Sequence, residues 1–286
     1  MPSGPTKVAL SNTSYGKSRV RLVQVSRRGD RHELRDLTVA VAFEGEYDTS
    51  YTEGDNRDVL PTDTIKNTVY ALAAGTGIVE PEALGLVLAR HFLEGNPRLD
   101  EVRVDLTARQ WARLRVDGET DDGYSFMGRG PDQRSATVLA TRTGITLSAG
   151  IVDLLILKTS RSAFTGFMRD AFTTLPETND RLLATSLTAT WQYATPEVEF
   201  GPVWQRVRQT MLQTFAAHES ASVQHTIYAM GEAVIAATPD VQSIHLAMPN
   251  KHHVPVDLSR FGLANRNEVF VPTDEPYGLI EATIAR

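Results

Sequence analysis

Along this 286-residue chain, the spacing of apolar residues changes from that of strands to that of helices and back again, and the same series of changes occurs in each half. This order limits the folds that the chain can adopt. Alternating apolar and polar residues predict strands, whereas apolar residues three or four apart predict one face of a helix. The first half has the order strand, strand, helix, helix, strand, strand, and the second half repeats that order without a close repeat of sequence. We therefore expect an α+β protein of two units, residues 1–143 and residues 144–286.

Short stretches of sequence carry the individual predictions. Two runs between residues 17 and 50, rich in Val, Thr and aromatic residues, predict a hairpin that turns at Arg27-Arg28-Gly29-Asp30. Helices are expected over residues 61–75 and 80–95, with the apolar stripes Ile65, Val69 and Leu72, and Leu84, Val87, Leu88, His91 and Phe92. The two helices of the second half have the stripes Val203, Val207, Met211 and Phe215, and Val223, Ile227, Met230 and Val234.

Composition excludes several classes of site and partner. The formal net charge is −6, and a mildly acidic protein is a poor non-specific partner for nucleic acid. The chain contains no cysteine, which excludes disulfides, thiolate nucleophiles and cysteine metal ligands. There is no apolar run of about 18 residues that would span a membrane, and the start has no apolar signal core. We expect a cytoplasmic protein with no nucleic-acid or membrane partner.

The stretch TDTIKNTVYALA, residues 62–73, begins a predicted helix with an unusually polar first two turns. Thr62 or Asp63 is a natural N-cap, and the Asp63 carboxylate is expected to cap the helix. Free N–H groups at a helix start also favour an anion. Lys66, Asn67 and Thr68 are expected to be solvated or to cap the helix.

Seven stretches together resemble the urate oxidase (uricase) family. They stand in the family's order, span nearly the whole chain, and are YGK at 15–17, TDTIKNTVYALA at 62–73, HFLEG at 91–95, LKTSRSAFTGFMRDAFTTLPETNDRLLAT at 157–185, SASVQHTIYAMG at 220–231, MPNKHH at 248–253 and YGLIEATIAR at 277–286.

The resemblance implies a fold, an assembly and a reaction. The fold is a tandem T-fold of two ββααββ units, with antiparallel sheets and helices on one face. Four chains form a homotetramer, a tunnel-shaped barrel with active sites at subunit interfaces. The reaction converts urate, O₂ and water to 5-hydroxyisourate and hydrogen peroxide, the first step of urate degradation. It uses no metal, flavin, haem or other cofactor.

The resemblance also implies a proton relay of three residues. Lys17 and Thr62 help to remove a proton from urate, and His252 completes the relay. A lysine can accept a proton only where burial or a nearby cation lowers its pKa, and a histidine changes charge near neutral pH. Without the resemblance, Lys17 would be a solvated lysine at a hairpin end and Thr62 a helix-cap residue.

A purine clamp is implied in the second half. Phe164 stacks on the flat purine, and the planar fork of Arg181 matches paired acceptors on the urate edge. Gln224 offers an amide donor and acceptor. Val223 contributes its backbone N–H, at a helix start that Ser222 is expected to open.

Two further contacts complete the implied site. The backbone N–H of Asp63 contacts the purine, and Asn250 lies with Thr62 beside the pocket that holds O₂ and then water. In the family, the Lys17 and Thr62 side comes from one subunit and the side with Phe164, Arg181 and Gln224 from its neighbour, so a monomer would be inactive.

Two alternatives belong to other functional classes. One is a metal-dependent purine or pterin hydrolase on the same fold, although no HExxH-type pair occurs among the seven histidines, which are His32, His91, His218, His225, His245, His252 and His253. The other is a purine-binding paralogue without catalysis, although every matched pocket residue is intact.

The chain also ends at EATIAR, without the Ser-Lys-Leu-type peroxisomal ending of many eukaryotic members.

Overall fold

The structure is a computed structural model that describes residues 8–27, 29–118 and 120–286. The chain divides into two compact units. The first continues to Met127 and includes Ser135–Leu147, and the second consists of Gly128–Arg134 and Ser148–Arg286.

The first unit follows the expected order of elements, with one added helix. In chain order they are β1 (Tyr15–Ser26), β2 (Glu33–Gly45), α1 (Asp48–Thr52), α2 (Thr62–Thr76), α3 (Pro81–Gly95), β3 (Leu99–Arg115) and β4 (Asp121–Thr141). β1 pairs with β2, and β2 with β3, all antiparallel. The expected hairpin turn between β1 and β2 includes Arg28, which lies outside the described residues.

The second unit repeats the order. Its elements are β5 (Gly144–Lys158), whose residues up to Leu147 belong to the first unit, β6 (Leu183–Tyr193), α4 (Phe200–Ala217), α5 (Val223–Ala237), β7 (Val241–Pro255), a 3₁₀ turn (Ser259–Phe261) and β8 (Phe270–Ala285). β5 pairs with β6, β6 with β7 and β7 with β8, all antiparallel. The protein is therefore of the α+β class, as the sequence predicts.

The middle of β4, Gly128–Arg134, belongs to the second unit, and two of its side chains make contacts there. A carboxylate oxygen of Asp132 lies 3.7 Å from the guanidinium of Arg208. The guanidinium carbon of Arg134 lies 5.2 Å from the ring centroid of Trp204. Both partners are on α4, so these two side chains attach the segment to a helix of the second unit.

The helical stripes of the second unit are confirmed. Spacings of three and four residues place one side of each helix against the sheet. The predicted residues that are buried there are Val203, Val207, Met211 and Phe215 on α4, and Val223, Ile227, Met230 and Val234 on α5.

The predicted stripe of α3 was partly wrong. Leu84, Leu88 and Phe92 are buried, but Val87 and His91 are exposed. The reason is a glycine that the apolar pattern overlooked. A Cβ on Gly85 would lie 2.7 Å from a side-chain carbon of Val138 and 2.9 Å from one of Leu106. The helix therefore approaches the sheet most closely at Gly85, and the buried face is rotated away from Val87 and His91.

The end of the predicted hairpin was also wrong. The strand was expected to continue through EGEYDTS, but β2 ends at Gly45 and Asp48–Thr52 is a short helix. The Tyr47 hydroxyl donates a hydrogen bond to the Phe43 carbonyl oxygen at 2.5 Å. This bond folds the chain back on the end of β2, which an alternation count cannot detect.

The first strand of each unit contains a bulge of one residue. Lys17 pairs with Val41 and Val20 with Val39, so three residues of β1 oppose two of β2. In the second unit, Ile151 and Leu154 of β5 are paired with β6 in the same way. The backbone of the third residue is left-handed in both bulges, with φ of 57° at Arg19 and 59° at Asp153. Non-glycine residues adopt this conformation only where the surrounding structure holds them.

Among the described residues, no helix is long and apolar enough to cross a membrane. The cytoplasmic location stays a prediction.

Candidate active site

The first unit contains three of the expected site residues. Lys17 lies on β1, half-buried, immediately before the bulge. Thr62 is the first residue of α2, and Asp63 the second. Both are exposed. Lys66 is the main cause of the lowered pKa of the Asp63 carboxyl group, and the Lys17 charge is the smallest contribution, so the start of β1 is weakly coupled to the start of α2.

The expected cap of α2 was wrong in detail. The N-cap residue is Pro61, and no described side chain accepts a capping hydrogen bond there. The Asp63 carboxylate instead accepts hydrogen bonds from Lys66 Nζ at 2.5 Å and Asn67 Nδ2 at 3.0 Å. The bond from Lys66 is the main cause of the low Asp63 pKa. Lys66 and Asn67 thus bind the Asp63 carboxylate. This carboxylate therefore does not cap the helix start, where it would compete with a bound anion.

The second unit contains the expected aromatic and guanidinium pair. The guanidinium carbon of Arg181 lies 5.3 Å from the ring centroid of Phe164. Phe164 exchanges two backbone hydrogen bonds with Thr178, at 2.8 and 3.1 Å. Arg181 donates its backbone N–H to the Ser162 carbonyl oxygen at 2.8 Å. These main-chain bonds fix both residues in a stretch that has no regular secondary structure.

Arg181 has an unused donor. Its Nε atom is buried and has no hydrogen-bond partner among the described residues. The guanidinium is partly desolvated, and this burial lowers the Arg181 pKa. A buried donor without a partner is costly, and a ligand with acceptors in the plane of the guanidinium would remove that cost.

The ring of Phe164 is part of a larger stack that the sequence analysis missed. Phe167 lies parallel to it, with ring centroids 4.8 Å apart and an interplanar angle of 13°. The guanidinium carbon of Arg169 lies 5.0 Å from the Phe167 centroid. Glu177 lies 3.8 Å from Arg169 and accepts a hydrogen bond from the Gly166 N–H at 3.2 Å. The spacing FTGF is the sequence signal, since it repeats an aromatic residue beside a flexible glycine.

The start of α5 is capped as predicted. The Ser222 hydroxyl accepts a hydrogen bond from the His225 N–H at 3.1 Å. Val223, the first helical residue, is buried, and Gln224 is exposed. The backbone N–H groups of Val223 and Gln224 belong to the first turn, where helices have no partner of their own.

Ser220 connects the Phe164 stretch to the start of α5. It accepts a backbone hydrogen bond from Ala163 at 2.7 Å and donates one to the Arg161 carbonyl at 3.0 Å. Its hydroxyl donates to the Ser222 carbonyl at 3.0 Å and accepts from the Thr226 hydroxyl at 2.8 Å. The aromatic stretch and the helix N-terminus are therefore one hydrogen-bonded assembly. No sequence pattern indicated this, because its partners are far apart in the chain.

Asn250 and His252 lie two residues apart on β7. Asn250 pairs with Thr185 of β6, and β7 keeps a regular register there. On the other side, Asn250 pairs with Gly278 and His252 with Thr273, so the extra residues are in β8. Because β7 is regular against β6, the two side chains lie on one face of the strand. Asn250 is half-buried and His252 is exposed.

The expected residues thus form two groups. Lys17, Thr62 and Asp63 lie together in the first unit. The second unit joins Phe164 and Arg181 to the N-terminus of α5 and carries Asn250 and His252 on β7. In the part of the chain that the structure describes, no three His, Asp or Glu side chains are grouped so that they could hold a metal ion.

Comparisons with known proteins agree with this architecture. The uricase family matches residues 13–139 and 147–281. A uricase from Arthrobacter globiformis is 44% identical over 283 residues, which cover 98% of this chain and 91% of that protein. A uricase from Dictyostelium discoideum is 38% identical over 280 residues, 97% of each chain. The crystal structure of the Arthrobacter globiformis uricase has a TM-score of 0.94 and 43% identity, covering 98% of this chain and 96% of that one. This chain belongs to the uricase family.

Proposed function

We propose that this protein oxidises urate with O₂ and water to 5-hydroxyisourate and hydrogen peroxide, the first step of urate degradation. Membership of the uricase family supports the substrate and the reaction class. The observation that carries the proposal is the Arg181 guanidinium beside the Phe164 ring, with a buried Nε donor that has no partner in the described structure.

The clamp would hold urate by its shape and its charge. Urate is a flat anion near neutral pH. The Phe164 ring offers a stacking surface, and Arg181 offers donors in a planar fork to two acceptors on one edge. The Gln224 amide and the Val223 N–H lie at a helix start, where the aligned backbone dipoles favour negative charge. The main-chain bonds through Ser220 support one fixed orientation of these groups.

A proton relay would activate the bound urate. Lys17 as the free amine accepts a proton through the Thr62 hydroxyl, and His252 completes the relay. Because urate is already an anion, this is the second proton that it loses. Its removal makes urate a better electron donor to O₂. The Asp63 N–H contacts the purine at the start of α2, and Asn250 lies with Thr62 beside the pocket for O₂ and then water. Across the reaction urate loses two electrons, O₂ takes up two electrons and two protons, and water supplies the new hydroxyl group.

The complete site would need two subunits. We propose a homotetramer of tandem T-folds around a tunnel, with active sites at subunit interfaces. Lys17 and Thr62 would come from one subunit, and Phe164, Arg181 and Gln224 from its neighbour. Within one chain these groups lie on two different compact units, and their division between subunits rests on the resemblance to the uricase family. We further propose that the reaction needs no cofactor, because a base, a rigid clamp and a small polar pocket suffice for an electron-rich substrate.

The direct test is turnover by purified, chelator-treated protein in air. Loss of urate absorbance, O₂ consumption and peroxide formation are measured together. The proposal expects one peroxide for each urate and no gain from added metal ions. A folded protein that binds urate without turnover would contradict it and favour a purine-binding paralogue. Turnover that depends on an added metal, without peroxide, would favour a hydrolase.

A further inference from the structure

The Tyr15 hydroxyl connects the two parts of the first unit that carry the proposed relay. It accepts a hydrogen bond from the Leu60 backbone N–H at 3.1 Å. Leu60 lies two residues before Thr62, and Tyr15 lies two residues before Lys17. We propose that Tyr15 is a positioning residue that holds Lys17 and Thr62 at the separation that proton transfer requires. This inference rests on the proposed urate oxidase function.

The Tyr15 ring is held firmly enough to direct its hydroxyl. It makes edge contacts with Phe43 and Tyr47, with ring centroids 5.5 and 4.8 Å away and interplanar angles of 79° and 86°. Both neighbours are buried, at 0% and 2% exposure. Burial raises the Tyr15 pKa above its ordinary value, so the phenol stays protonated at neutral pH.

The backbone between Tyr15 and Lys17 is equally constrained. A Cβ on Gly16 would lie 1.9 Å from the Val41 carbonyl oxygen. Only glycine allows β1 to approach β2 this closely. Residues i and i+2 of a strand lie on the same face, so the Tyr15 and Lys17 side chains leave β1 in the same direction. A displacement of one is therefore passed to the other.

The start of α2 needs such an attachment. The N-cap residue Pro61 has no capping side-chain bond among the described residues. The preceding stretch is mainly exposed, and its backbone turns at the bond from the Val59 N–H to the Asn56 carbonyl. The bond from Leu60 to Tyr15 anchors the helix start to the sheet at the residue just before Pro61.

Removal of only the Tyr15 hydroxyl oxygen distinguishes a role in positioning the relay from a role in folding. Tyr15→Phe keeps the ring and its contacts, and water can satisfy the half-buried Leu60 N–H. Displacement by about 1 Å at a catalytic group costs on the order of 10²-fold in rate. We expect kcat to fall roughly 10- to 100-fold. KM for urate should change little, because the clamp lies in the other unit.

Two hydroxyls of the same aromatic cluster provide matched controls. Tyr51→Phe removes an exposed bond to the Ser14 carbonyl and should leave kcat and melting temperature unchanged. Tyr47→Phe removes the bonds to the Phe43 and Thr13 carbonyls and should lower the melting temperature while kcat stays close to wild type. All three variants are compared by urate kinetics, thermal unfolding and size-exclusion chromatography.

The outcomes are distinct. A fall in kcat for Tyr15→Phe, at wild-type KM and oligomeric state, supports the positioning role. Wild-type kcat in Tyr15→Phe overturns it, as does an equal loss of kcat in Tyr47→Phe, which would show that general loosening is the cause. If the wild-type protein itself fails to oxidise urate, the proposed function fails and the positioning role, which rests on it, is overturned with it.

Discussion

The first strands of the two units have the same glycine and bulge, but the residues at the bulge differ in their chemistry. Each first strand contains a Gly-X pair followed by a one-residue bulge, Gly16-Lys17 in β1 and Gly150-Ile151 in β5. The left-handed residue of each bulge is exposed and polar, as Arg19 or Asp153. The residue before the bulge is a half-buried lysine in one unit and a fully buried isoleucine in the other.

The comparison shows that the repeat of the scaffold is not a repeat of the site. In the first unit, the bulge position is proposed to supply the base. In the second unit, the same position belongs to the core, and the proposed clamp is built from the stretch around Phe164 and the start of α5. The same fold is thus proposed to carry two different sets of site residues.

Lys17→Met should have the largest effect. It places an apolar residue before the bulge of β1, as Ile151 is before the bulge of β5. Loss of a positioned acid–base group costs about 10²- to 10⁴-fold in kcat. KM should stay within a few-fold, because Lys17 is not part of the clamp. Urate kinetics measure this, with thermal unfolding as the control for folding. A variant with wild-type kcat would show that Lys17 is not the base.

The reverse exchange, Ile151→Lys, should affect stability. A lysine at this fully buried position lacks a charged partner, and an uncompensated buried charge costs about 3–5 kcal/mol. We expect a melting temperature lower by roughly 10 °C. Lys17→Ile, the matched exchange in the first unit, should change it by only a few degrees. Equal losses in both variants would contradict the assignment of one bulge to the core and the other to the site.

Arg181→Gln should weaken binding more than turnover. A hydrogen bond from a charged donor contributes about 1.5–3 kcal/mol, so KM should rise roughly 10- to 100-fold. Arg260→Gln, at an exposed arginine of the 3₁₀ turn, is the control and should leave KM unchanged. A wild-type KM for Arg181→Gln would remove Arg181 from the clamp.

Phe167→Leu tests the support of the Phe164 ring. An aromatic pair contributes about 0.5–1.5 kcal/mol beyond its buried area, so loss of the stack should raise KM about 2- to 10-fold. Phe167→Tyr keeps the stack and should restore binding. If leucine and tyrosine give the same KM, the stacked ring does not orient Phe164.

The smallest expected effect is a pH dependence at the end of α4, where His218 is the C-cap residue. Burial, then the neighbouring His225 and Lys158, lower the pKa of His218 below its ordinary 6.5, whereas Glu219 raises it. A base with a lowered pKa is favoured in its neutral form, so its contribution is present above pH 6.5 and is lost as the pH falls through the folded-state pKa. Because the ring is partly exposed, solvent screens this difference and the loss is small.

Unfolding curves of wild type and His218→Gln between neutral and acidic pH measure this difference. The variant should be less sensitive to acid than the wild type. Identical pH profiles would show that His218 does not contribute.

The sequence predicted the elements better than their contacts. The stripe from Val203 to Phe215 and the cap at Ser222 depend on spacing and local chemistry, which a sequence displays directly. The stripe of α3 was wrong at Val87 because close packing at Gly85 is a tertiary effect. The short helix Asp48–Thr52 was missed for a similar reason, since Tyr47 folds back on β2.

Site residues showed the same division. Resemblance alone indicated Lys17 and Arg181, because an isolated lysine or arginine carries no pattern. The partly desolvated guanidinium of Arg181 and the network through Ser220 depend on residues tens of positions apart, which no local window contains.

The most direct measurement of the central claim is complementation between two impaired variants. Lys17→Met and Arg181→Gln are co-expressed with different tags, and mixed oligomers are purified and assayed at urate concentrations below the wild-type KM, where both variants should be slow. If each site takes Lys17 from one subunit and Arg181 from its neighbour, mixed oligomers contain some intact sites and are more active than either variant alone. Mixed oligomers no more active than their parents would contradict the division of the site between subunits.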